Sequence, residues 1–171
     1  MPTMRLTANK VVVLLFSVLL HANASASDAS HDASDASDVA GHDSHGFHKN
    51  TAGVFAGITH AGRRKNGPAI GFEYARRFNE SFSLGAVAEY TGGDGDFWVA
   101  VLPFGWHLGH WKLYAAPGIE DGHHGTEELL RLGVERAFAL SNDWEIAPQL
   151  NVDIVDGEDV WVFGVLFAKG F

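Results

Sequence analysis

The sequence predicts an all-β protein: an eight-stranded antiparallel up-and-down transmembrane β-barrel, preceded by a signal peptide and a disordered linker. Three observations carry this expectation. Residues 50–171 break into eight runs of β-like alternation separated by turn residues. The two faces of those runs differ in kind, one bulky and apolar, the other a mixture of glycine, alanine and charge. Aromatic residues bracket three of the short turns, as an interfacial girdle would.

Residues 1–26 read as an address. Arg5 and Lys10 give a positive start, Val11–Leu20 is an apolar run, and Ala24-Ser25-Ala26 is a small-residue cleavage site. Ten apolar residues reach only about 15 Å as a helix, half of a hydrocarbon core of about 30 Å. The segment is therefore expected to be cleaved after export and not to anchor the chain.

Residues 27–49 repeat Asp-Ala-Ser at 28–30, 32–34 and 35–37, and apart from the histidines Val39 and Phe47 are their only β-branched or aromatic residues. Such a composition buries too little apolar area to offset the entropy of ordering, which predicts a disordered periplasmic linker. His42, His45 and His48 recur every third residue there, with Asp43 close by. Imidazole and carboxylate on a flexible chain are ligands for divalent metal ions, so these three histidines are the candidate metal residues.

From Asn50 the expected strands are 51–60, 67–77, 82–91, 97–107, 111–120, 128–138, 144–154 and 160–171. Lengths near ten residues suit tilted strands crossing a bilayer. In the second, Ile70, Phe72 and Tyr74 oppose Gly71, Glu73 and Ala75. In the third, Leu84, Ala86 and Tyr90 oppose Ser83, Val87 and Glu89. The fifth sets Trp111 and Leu113 against Lys112 and Tyr114, and the sixth Leu130 and Leu132 against Arg131 and Gly133. In the seventh, Ile146 and Leu150 oppose Glu145, Gln149 and Asp153; in the last, Trp161, Phe163 and Phe167 oppose Gly164 and Ala168. Residues 51–58 show no clear facing.

A soluble barrel packs bulky apolar groups inward and needs no complementary face of small residues. In a narrow membrane barrel the crowded side is the lumen, so the apolar face is assigned to lipid and the small and charged face to the inside. Glu73, Glu89, Glu135 and Glu145 are then expected to form an ionic plug with Arg131 and Lys112. Three basic residues break the parity: Arg76, Arg136 and Lys169. Each lies two residues before an aromatic at a strand end, namely Phe78, Phe138 and Phe171, where a long side chain can reach headgroups. Pro103, Pro117 and Pro148 fall inside expected strands and call for bulges or strand ends.

With these features the chain resembles the small outer-membrane β-barrels of Gram-negative bacteria, the OmpA/OmpX-like group. The last strand, Trp161–Phe171, looks like the signal that the family's assembly machinery reads, with Lys169 where an apolar residue is common. The resemblance implies outer-membrane localisation, with outer-membrane lipids and lipopolysaccharide as partners.

The balance of 12 basic against 21 acidic residues excludes a nucleic-acid binder, and the lack of cysteine excludes disulfides and thiolate chemistry. No cofactor motif is present. The outward turns are charged: Arg63-Arg64-Lys65 are basic, while Asp94, Asp96, Asp121, Glu127, Glu128, Asp156, Glu158 and Asp159 are acidic loop residues that could hold divalent cations. Some barrels of this size are lipid A deacylases, marked by His-x-Ser-Asn. Here the His-x-Ser at 42–44 lies in the linker and lacks the Asn, so no catalytic residues are assigned. The expected role is structural or interactive at the envelope. The alternatives are metal sequestration through the linker, and lipid A modification.

Overall fold

The computed structural model describes residues 48–60, 66–93, 96–123 and 125–171. The signal segment and the linker up to Phe47, with His42 and His45, lie outside them. So do Arg63, Arg64, Lys65 and Asp94.

Ten strands appear: β1 (Asn50–His60), β2 (Gly67–Arg77), β3 (Phe82–Thr91), β4 (Phe97–Val101), β5 (Phe104–Leu108), β6 (Trp111–Gly122), β7 (Gly125–Arg136), β8 (Phe138–Ala139), β9 (Trp144–Val155) and β10 (Glu158–Gly170). β4 with β5, and β7 with β8, are each one stave of the barrel, giving eight. Every neighbouring pair is antiparallel, and β10 pairs with β1 from Thr51↔Gly170 to His60↔Trp161, which closes the sheet. At about 3.3 Å per residue and a tilt near 45°, strands of this length cover an apolar band about 25 Å tall.

The sidedness is as expected. Phe72, Leu132 and Phe163 point out of the barrel with exposures of 40 %, 45 % and 45 %, whereas Arg131 inside is 2 % exposed. β1 acquires the facing that its sequence concealed: Val54 and Ile58 point outward, while Phe55 is buried in the lumen. Gly57 and Gly164 make room for it, because a Cβ on either glycine would collide with the Phe55 ring. The interior is also less polar than expected. Val160, Val162 and Leu166 join Phe55 in one apolar cluster, and Val99, Val101 and Val155 form another. Apolar side chains pack inside the barrel as well as charged ones.

The prolines do not produce bulges. Phe82↔Trp106 and Val87↔Val101 belong to the same register across the break between β4 and β5. Pro103 still accepts a bond from Gly85 N (2.8 Å), and Pro117 accepts one from Leu102 N (3.0 Å). Each proline removes a single donor and leaves the ladder in step, and the two gaps together interrupt the fourth stave at Leu102–Pro103. The β7–β9 pairing lapses opposite Pro148 and resumes, still in register, at Phe138↔Ile146.

The upper hairpins are tighter than the sequence suggests. β6 and β7 pair as far as Gly122↔Gly125, and β9 and β10 as far as Glu158↔Val155. Asp121, Glu127, Glu128, Glu158 and Asp159 are therefore strand residues and not loop tips.

Candidate functional site

Two ionic clusters occupy the lumen. In the first, Arg131 of β7 donates from Nε to Asp153 Oδ1 (2.6 Å) and from NH2 to Asp153 Oδ2 (2.7 Å). It also donates from NH1 to Glu89 Oε2 (2.9 Å) and from NH2 to Glu89 Oε1 (3.3 Å). A guanidinium fork suits two carboxylates at once, which is why an arginine stands here.

In the second cluster, Lys112 Nζ donates to Glu73 Oε1 (2.9 Å) and Glu135 Oε2 (2.6 Å). Gln149 Nε2 joins the same two carboxylates at 3.1 and 2.9 Å. All seven side chains are buried. Unpaired, such charges would cost several kcal/mol each; every carboxylate here has a cationic partner. Between the clusters Tyr114 Oη donates to Asn151 Oδ1 (2.5 Å) over Gly133, where a Cβ would collide with both side chains.

Five of the six expected plug residues meet in these clusters. Asp153 takes the place expected for Glu145, which forms no ion pair among the described residues. Sequence parity put Asp153 on the inner face, but which inward groups meet across a lumen depends on the stagger of the staves.

One serine and one histidine touch. His107 Nε2 lies 2.8 Å from Ser83 Oγ, and Arg77 NH2 lies 2.8 Å from His107 Nδ1. A guanidinium can only donate, so Nδ1 accepts and the ring proton of the neutral imidazole sits on Nε2, donating to serine. A catalytic dyad needs the reverse, a free Nε2 lone pair taking the serine proton and an acceptor holding Nδ1–H. This pair is wired against nucleophile activation.

At the end of the barrel bearing Asn50 and Phe171, His48 lies against Gly170, with Nε2 3.3 Å from Asp143 Oδ1. Among the described residues no group of three metal-ligating side chains is assembled.

No protein-family model and no curated protein sequence matches the chain. Solved structures do. The N-terminal β-barrel domain of Pseudomonas aeruginosa OprF matches with a TM-score of 0.56 and 10 % identity, covering 72 % of this chain and 99 % of that one. Neisserial surface protein A gives 0.53 at 10 % identity, covering 71 % and 96 %. The Yersinia pestis outer membrane protein Ail in a phospholipid nanodisc gives 0.50 at 13 %, covering 71 % and 99 %. The fold is that of the small eight-stranded outer-membrane β-barrels. At these identities the likeness speaks for architecture alone. The outward apolar belt agrees with it independently: the bulky side chains are turned to the outside of the barrel, as in a barrel that spans a bilayer.

The girdles complete the picture. Phe82 stacks on Phe104 at 5.7 Å and Trp144 on Phe167 at 4.6 Å near one rim, and Tyr90 meets Trp98 at 5.0 Å near the other.

Proposed function

We propose that this barrel is a non-conducting, non-enzymatic structural or interaction element of the outer membrane. The observation that supports it best is the double ionic cluster, which spans from β3 to β7 and β9, and from β2 to β6, β7 and β9, across the space a pore would need. The direction of the Ser83–His107 bond supports the absence of hydrolytic chemistry. Reconstitution in planar bilayers is expected to give no sustained openings. Steady channels would overturn the filled-lumen reading, and an altered lipopolysaccharide acyl pattern on overexpression would overturn the non-enzymatic one.

A second reading has one specific support. His48, the last of the three linker histidines, stands beside the Asp143 carboxylate at the barrel mouth, and the run His42, His45 and His48 supplies imidazoles of the kind that bind a divalent metal ion. Zinc titration with and without residues 27–49 tests it: heat released only by the longer form supports metal sequestration, and none from either removes it. The last strand would serve recognition by the barrel-assembly machinery.

A further inference from the structure

The lumen cations and the outward cations differ in one respect. Lys112 and Arg131 each hold two carboxylates. Arg76, Arg136 and Lys169 face outward, and among the described residues none of them has an acidic partner. All three lie at the end of the barrel that bears Asn50 and Phe171. Arg76 pairs with Asn50 in register, Arg136 with Trp111 directly after the turn at 109–110, and Lys169 with Trp144 directly after the turn at 140–143. Of the described acids outside the lumen, Asp121, Glu128, Asp156 and Asp159 lie at the opposite end, while Glu80 and Asp143 sit in the turns at this end without pairing with any of the three cations.

Aromatic rings hold two of these cations in place. The Arg136 guanidinium carbon sits 5.2 Å from the Trp111 ring centre and 4.9 Å from that of Phe138, and Lys169 Nζ sits 5.6 Å from that of Trp144. Rings under a cation shield its apolar stem and keep its donors at interface depth. A cation fixed there with no protein carboxylate has its anion supplied by the membrane.

We infer that Arg76, Arg136 and Lys169 form a collar binding the phosphates of anionic phospholipid in the leaflet at the terminal end of the barrel. This deepens the reading of the protein as a membrane barrel and rests on it. The collar favours a phosphate that carries net negative charge over a zwitterionic headgroup.

The test uses the full chain refolded into phosphatidylcholine vesicles containing brominated phosphatidylglycerol or brominated phosphatidylcholine. Tryptophan quenching reads the lipid next to the rings, and Trp111 and Trp144 lie directly under the cations. The expected result is preferential quenching by brominated phosphatidylglycerol that falls about five-fold for each cation removed, in R76Q, R136Q and K169Q, and that weakens with salt. Equal quenching by the two lipids in the unaltered protein, or a preference that survives the triple substitution, overturns the collar. Displacement of brominated phosphatidylglycerol by lipopolysaccharide more readily than by unlabelled phosphatidylglycerol also overturns it, because the site would then be one for lipid A phosphates. Faster gel migration of the unheated than of the heated protein shows in every sample that the barrel has closed. Failure of the unaltered chain to insert into any vesicle would count against the membrane reading, whereas insertion without lipid preference counts against the collar alone.

Discussion

Phe55 shows how one side chain is accommodated in a space too narrow for most aromatics. Its ring occupies the lumen beside Gly57 and Gly164, and the glycines leave the volume that their missing Cβ atoms would fill. Replacing Gly164 by valine is expected to cost about 1–3 kcal/mol by overpacking, and Phe55→Ala about 3–5 kcal/mol by opening a cavity. The double variant should be less damaging than the sum, since each change relieves the other. Urea unfolding in vesicles measures all three, and strict additivity would show that the ring and the notch do not interact. Phe55 was also the residue least legible in the sequence. Alternation around it is between small residues, Ala52, Gly53, Ala56 and Gly57, and a pattern of small against small carries no facing.

At the scale of the strand, the prolines change a common expectation. Bulges or strand ends were expected at the prolines; a strand end does occur at Leu102–Pro103, yet Pro103, Pro117 and Pro148 leave the register continuous. In an antiparallel ladder a residue bonds to one neighbour only, so a missing N–H turns a two-bond pair into a one-bond pair without moving the chain. Substitution by alanine at 103 or 117 restores a bond worth about 0.5–1.5 kcal/mol but returns about 0.4–1 kcal/mol of freedom to the unfolded chain. The expected net change is therefore within about 1 kcal/mol, read as a small displacement of the urea midpoint. A large loss would mean that the proline ring itself packs in a way the ladder does not explain. The strands themselves were legible: all eight runs are staves, and their ends differ mostly where the upper hairpins are tighter than the charged residues suggested.

For the whole molecule, closure through β1 and β10 removes every free edge, which no single strand can do. An edge-free sheet with an ionic centre resists detergent, so unboiled protein is expected to migrate faster than boiled protein on a denaturing gel. Identical migration would argue against a closed barrel. The same closure brings Glu73 of β2 to Lys112 of β6 and Gln149 of β9, residues far apart in the chain.

The sequence by itself determined the eight staves, which face of six of them meets lipid, and the depth at which cations and aromatics sit. Those features repeat every second residue and need only local geometry and the contrast between hydrocarbon and water. The tertiary structure decided the partners: Asp153 and not Glu145 beside Arg131, arginine and not carboxylate behind His107, Phe55 in its glycine notch. Partnership across a lumen depends on the stagger with which the sheet closes, a global quantity that no short stretch of chain encodes.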